Sequence, residues 1–164
     1  LKEQKNMRSK RPPIRQVEPD TKFGSVKVAK LINYAMRDGK KAAAQKQVYA
    51  ALELVSAELK KDALELLDEV LNVITPQMEV RSRRVGGAAY QVPMPVKARR
   101  GSSLAVRWLI LEANKRSSKQ FRTFAEKLAA EMLDALQEQG GAISRRDTSH
   151  RMAEANKAFA HFRW

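Results

Sequence analysis

The sequence predicts a mostly α-helical fold: a single six-helix domain carrying a protruding two-stranded β-hairpin arm. Three observations lead there. Apolar residues recur at helical spacing through six segments between residues 25 and 162. Residues 77–97 instead alternate around a Gly-Gly pair, as the strands of a tight hairpin do. The 164 residues include no cysteine, so a buried core has to hold the chain together, and a chain of this size removes ~70% of its unfolded surface from water. Residues 1–18 are expected to form a basic N-terminal arm, and residues 19–164 the helical domain with its β-arm at about 77–97.

The first helix is expected from "SVKVAKLINYAMRDG", with Ser25 as its cap, Val28, Leu31, Ile32 and Met36 on one face and Gly39 as its stop. "KKAAAQKQVYAALELVSAEL" follows at once, its stripe formed by Val48, Leu52, Val55 and Leu59. In "KDALELLDEVLNVITP", Asp62 and Glu65 have capping-box spacing, Leu64, Leu67, Leu71 and Ile74 make the buried stripe, and Pro76 ends the helix. Beyond the hairpin, Ser102 or Ser103 is placed to cap "LAVRWLILEANKR", apolar around most of its circumference and so expected to be the central helix, with Trp108 in the core. "SKQFRTFAEKLAAEMLDALQEQGG" repeats Phe121, Phe124 or Ala125, Leu128, Met132 and Leu136 before a stop at Gly140-Gly141. The last helix is expected in "DTSHRMAEANKAFAHF", with Met152, Ala155 and Phe159 inward.

Gly86 and Gly87 suit a primed two-residue turn, whose central positions take positive φ. Pairing Val85 with Ala88 then sets Arg83 opposite Tyr90 and Arg81 opposite Val92 on one face, and Arg84 opposite Ala89 on the other. A lone two-stranded ribbon is marginal in water, so one with cations on both faces is expected to project and to be ordered by an anion. Pro93 and Pro95 turn their missing N–H groups to one edge, away from Val80. Tyr90 beside Arg83 offers either a stacking face for a base or a packing residue.

The formal net charge is +14, from 32 Lys and Arg against 18 Asp and Glu, which attracts polyanions. That charge is uneven. Residues 42–80 hold three cations and seven acids, whereas residues 80–111 hold seven cations (Arg81, Arg83, Arg84, Lys97, Arg99, Arg100, Arg107) and no acid. The six within 81–100 are therefore expected to have no acid to pair with, which favours an RNA-contacting arm over a solvated hairpin. The opening residues, with Arg8, Lys10, Arg11 and Arg15, lack the apolar h-region of a secretory signal. No apolar run reaches the ~20 residues that span a bilayer, and no clean membrane-surface helix is present, so no membrane partner is expected. His150 and His161, eleven apart, are too distant to share one metal, no partnered nucleophile accompanies them, and Gly86-Gly87 lacks the Walker spacing. No cofactor, metal or enzymatic activity is expected. Composition alone leaves a DNA-binding helical protein as an alternative, and a nucleic-acid enzyme as a third class that would need a metal-dependent rate.

"SRRVGGAAYQVPMPV", "DGKKAAAQ", "KFGS", "LAVRWL" and the closing "HRMAEANKAFAHFRW" together resemble the bacterial form of the small-subunit ribosomal protein seven family, from about Pro19 to Trp164. The resemblance implies a primary binder of the 3′ major domain of small-subunit rRNA that nucleates assembly of the subunit head, in the cytoplasmic ribosome. It also implies an arm near the mRNA exit path between head and platform. Neighbouring head and platform proteins, including small-subunit proteins nine and eleven, are implied as partners, with mRNA and exit-site tRNA nearby. Carried over by motif, RNA contacts fall on Lys40, Lys41, Arg81, Arg83, Arg84, Tyr90 and Arg107, and in the closing motif on His150, Arg151, Lys157 and Arg163. The remaining basic positions expected to meet RNA are Arg8, Lys10, Arg11, Arg15, Lys22, Lys97, Arg99, Arg100, Lys115, Arg116, Arg145 and Arg146.

Overall fold

The elements follow in the order the periodicity predicts: α1 (Val26–Ala35), α2 (Lys41–Leu59), α3 (Ala63–Ile74), β1 (Met78–Val85), β2 (Ala88–Pro95), α4 (Ala98–Lys115), α5 (Phe124–Leu136) and α6 (Gly141–Ala155). A short 3-10 helix, Lys157–Phe162, closes the chain. The computed structural model describes residues 16–163; Arg8, Lys10, Arg11 and Arg15, and with them most of the expected N-terminal arm, lie outside the described residues.

One continuous core joins the helices, with Val48 and Leu52 of α2, Leu67 and Val70 of α3, Leu109 of α4 and Leu128 and Met132 of α5 fully buried or nearly so. Each such side chain contributes ~1.5–3 kcal/mol, which is what replaces disulfides here. The central position expected of α4 is shared: both α4 and α5 touch four other helices, and α2 packs most extensively on α5. Asp20, buried, accepts the backbone N–H of Lys22 and Phe23 and the Tyr49 hydroxyl (2.7 Å), which fastens the segment before α1 to α2.

Several helix ends differ from expectation. Ser25 does cap α1, accepting the Lys27 N–H at 3.2 Å, but the helix stops at Ala35 because Met36 is extended; Asp38 and Gly39, both with positive φ, make the turn into α2. Leu59 is exposed, and Leu64 is half-buried while Leu66 and Val70 take the inward places on α3. Asp62 supplies its half of the expected box, accepting from the N–H of Leu64 and Glu65; the full reciprocal box is at α5, between Thr123 and Glu126. Helix α4 starts at Ala98, well before the serines, whose hydroxyls donate back to the carbonyls of Ala98 and Arg99 within the helix. Trp108 is only half-buried, and so is Leu136, while Phe121 precedes α5.

Gly140 and Gly141 begin α6 rather than end α5. Gly140 has φ 93°, and a Cβ on Gly141 would come within 2.8 Å of the Glu112 carboxylate, so neither position accepts another residue without strain. The buried Glu131 of α5 accepts the Ala142 N–H at 2.8 Å, placing an acid at the positive end of α6. Helix α6 thus starts six residues before Asp147 and turns Ala142, Ile143 and Ala153 inward, leaving Met152 and Ala155 exposed.

The hairpin has the expected register, Val85 with Ala88, Arg84 with Ala89, Arg83 with Tyr90 and Arg81 with Val92, across Gly86 and Gly87 at φ 58° and 91°. Val96 N–H donates to the Gln77 carbonyl (2.9 Å); by alternation Pro93 and Pro95 fall in the non-hydrogen-bonded pairs, so their nitrogens face away from β1. Its base is more firmly docked than a free ribbon would be. Val92 is fully buried, Ser149 Oγ donates to the Met78 carbonyl, the Gln77 N–H donates to His150 Nε2, and the Arg163 guanidinium donates twice to the Pro93 carbonyl. Tyr90 rests on Phe159 and Phe162 of the 3-10 helix, at 5.3 and 5.2 Å between ring centroids. Only the distal part of the ribbon stands clear of the bundle.

Candidate nucleic-acid interface

Arg83 and Arg84 near the arm's tip, with Lys97 and Arg99 at the start of α4, have no acidic partner among the described residues. Arg81 and Arg100 do have one, which corrects the expectation that the cations of this stretch have no acid to pair with. Glu79, just ahead of that stretch and 9% exposed at its side chain, takes Arg81 on one oxygen (Nε at 2.7 Å) and Arg100 on the other (2.5 Å). Burial disfavours the Glu79 carboxylate, but hydrogen bonds from Arg100 and Arg81 outweigh it and hold the carboxyl below its ordinary range. Since Arg81 belongs to the arm and Arg100 to α4, this one carboxylate fixes the angle between them. Both arginines remain half exposed and keep N–H groups for an outside anion.

Cations also gather where helix physics disfavours them. Lys40 and Lys41 open α2, and Lys97, Arg99 and Arg100 open α4; neither helix has an acid in its first turn or a side-chain cap bond. At the positive end of a helix each adverse charge costs a few tenths of a kcal/mol, and the same end attracts phosphate. Arg99 and Arg107 lie eight residues apart on one face of α4, roughly 12 Å along its axis. Arg107 sits over the Tyr34 ring at 5.8 Å, and a cleft of about 290 Å³ beside them is lined by Arg37 and Asn114. Arg37 and Asn114 also line a neighbouring cleft of about 270 Å³ with Lys40 and Gln47. Arg37 and Tyr34 are not among the expected RNA contacts; the run "RDGKK" after a helix end is the available signal for Arg37, whereas the exposure of Tyr34 shows only in the fold.

The remaining candidates divide by what they touch. Arg151 and Lys157 are exposed and have no acidic partner among the described residues. Lys22 pairs with Glu53 at 2.5 Å and lies over the rings of Phe23 and Tyr49. Glu112 takes Lys115 and Arg145 together. Arg116 is mostly buried between Glu131 and Asp134, and their hydrogen bonds raise its pKa despite the opposing effect of burial. Arg146 binds Asp147 and the Val73 carbonyl. His150, Arg163 and Tyr90 serve the hairpin base as described, and Tyr90 gives its ring to Phe159 and Phe162.

Among the described residues no cluster of His, Asp and Glu could hold a metal ion, and no helix is long and apolar enough to cross a membrane. His150 and His161 are on different elements, α6 and the 3-10 helix, rather than on one terminal helix. The arrangement suits binding of an extended polyanion through dispersed cations.

The model of the family described as ribosomal protein S7p/S5e matches residues 7–157. A protein of Dichelobacter nodosus named small ribosomal subunit protein uS7 is 54% identical over 154 residues, covering 94% of this chain and 97% of that protein. Proteins of the same name from Caldanaerobacter subterraneus subsp. tengcongensis and Dictyoglomus thermophilum are each 52% identical; the alignments cover 93% and 94% of this chain and 96% and 99% of theirs.

Proposed function

The chain belongs to the ribosomal protein S7p/S5e family, and from that premise we infer that this structural, non-enzymatic constituent of the small ribosomal subunit is a primary binder of its rRNA. It nucleates the subunit head on the 3′ major domain, with its arm toward the mRNA exit path between head and platform. The observation that carries this reading is a set of cations without an acidic partner among the described residues, half-exposed Arg83 and exposed Arg84 on the arm with exposed Lys97 and Arg99 at the start of α4. Each cation that meets a phosphate releases condensed counterions, giving affinity that falls steeply with salt. Phosphate contacts position the protein but do not select a sequence, and folded RNA supplies the selectivity through shape, 2′-hydroxyls and splayed bases. A stiff arm held at a set angle to a basic helical face matches a junction of RNA helices. Small-subunit proteins nine and eleven, mRNA and exit-site tRNA are the neighbours this placement brings within reach.

Competition binding tests the reading. A 3′ major-domain rRNA fragment should bind tightly at moderate salt, duplex DNA of any sequence should compete poorly, and the subunit head should fail to assemble on rRNA when the chain is omitted. Duplex DNA competing as well as the fragment would overturn it, as would magnesium-dependent cleavage that persists in nuclease-free preparations.

A further inference from the structure

Between the hairpin, α4 and α6 lies a cleft of about 420 Å³ whose floor is Leu104 and Trp108. With Arg100 they occupy successive turns of one face of α4. Val80 and Gln91 of the hairpin form one wall, Met152 and Asn156 the other. We propose that this cleft receives a single unstacked nucleobase of the bound RNA, with its ring face on Trp108, its polar edge on Gln91 and Asn156 and its phosphate on Arg81 and Arg100; the inference rests on the rRNA-binding reading above.

Three features point to a nucleotide. First, Trp108 is half-buried: it packs on the core yet keeps surface toward the cleft, and an indole face is a strong platform for any base. Second, the polar groups suit a base edge. Gln91 is exposed and brings both a donor and an acceptor, and Asn156, whose Nδ2 donates to the Met152 carbonyl at 2.8 Å, keeps its Oδ1 as an acceptor. Third, the acid that lines the cleft, Glu79, is bridged by Arg81 and Arg100, which are not themselves lining residues but stand half exposed beside it with N–H groups to spare. A ligand that is flat and apolar at one end and anionic at the other fits this pattern, whereas an apolar protein side chain would leave the amides and guanidinium groups unused. The volume lies in the ~300–1,000 Å³ range of small-ligand clefts. A base held here would also supply sequence discrimination, which phosphate contacts lack.

The test uses the full chain carrying Trp164→Phe, which leaves Trp108 as its one tryptophan. Saturation with the 3′ major-domain fragment should quench the emission, while inorganic polyphosphate, which fills cationic sites without a base, should not. Trp108→Leu should weaken fragment binding roughly 5- to 100-fold with an unchanged salt slope. Gln91→Ala, at an exposed position of β2 that folding does not depend on, should weaken it several-fold, again with the slope unchanged. If the fragment binds but leaves the emission unaltered, or if polyphosphate quenches equally, the proposal is overturned while the rRNA-binding reading stands. Wild-type affinity in Gln91→Ala overturns it too. No binding of the fragment to the parent chain defeats that reading first, and this one with it.

Discussion

Helices α3 and α5 begin with side chains that suit a helix N-terminus: Asp62 caps two amides of α3, and Thr123 and Glu126 close a reciprocal box on α5. Helices α2 and α4 begin the opposite way, with Lys40 and Lys41 on one and Lys97, Arg99 and Arg100 on the other, and no side-chain cap. All four pack into the same core, so tertiary burial, worth ~1.5–3 kcal/mol for each large side chain, easily offsets a few tenths lost at a badly charged helix start. The difference teaches where to look for function. Local rules hold at α3 and α5, and they fail at α2 and α4, where backbone N–H groups and cations together suit a phosphate.

The comparison breaks most directly at the arm. Changing Arg81, Arg83 and Arg84 together to Ala should weaken binding of the 3′ major-domain fragment roughly 100-fold or more, lower the salt slope by ~0.7–0.9 for each lost phosphate contact, and leave the helical circular dichroism intact. Filter binding at two salt concentrations reads this, and unchanged affinity would remove the arm from the interface. On the other side, Glu131→Ala strips Arg116 of a buried partner and α6 of its acid, so the urea midpoint should fall by the equivalent of about 3 kcal/mol, with RNA affinity little altered below the transition.

Glu79 joins the two regimes, since a buried carboxylate there holds one arginine of the arm and one of α4. Its folded pKa lies below the ordinary glutamate value, so its contribution is fully present above the unfolded pKa and is lost as pH falls through the folded one. As pH falls below the ordinary glutamate range the arm should loosen from α4, a small effect because both arginines are half solvated. Side-chain NMR of the two arginines between pH 6 and 3 would show it as a transition preceding global unfolding; a single shared transition would refute it. The smallest effect has the clearest sign. Lys97 already has extended, cap-like backbone angles, so Lys97→Asp should stabilise the protein by ~0.5–1 kcal/mol while weakening RNA binding severalfold. Thermal melts and binding curves on one sample would decide, and a gain in both would dissolve the contrast.

Elements governed by local physics were legible in the sequence. The hairpin register follows from two glycines that need positive φ, and the helices follow from apolar spacing. What failed were inferences that needed a neighbour distant in sequence. Ser102 and Ser103 look like caps until the hairpin's end sets the start of α4 at Ala98. Gly140-Gly141 reads as a stop until Glu131 and Glu112 crowd it and make it a start. A count of charges along the chain leaves out Glu79 because its partners lie both two and twenty-one residues away. For the interface, clustering was visible but pairing was not: Arg116 and Arg146 resemble Arg83 and Arg84 in sequence, yet carboxylates and a carbonyl already occupy them.

The seating of the hairpin base on α6 and Arg163 sets an order of events during synthesis. Gln77, Met78 and Pro93 wait for partners 73, 71 and 70 residues further along the chain, and at translation rates of ~5–20 residues per second that interval is roughly 4–14 s. During it the ribbon can pair with itself but cannot be seated, so a nascent chain carries a fully charged, undocked arm before its clamp exists. The arm takes up its set orientation on the bundle only when the last helical turns have been made.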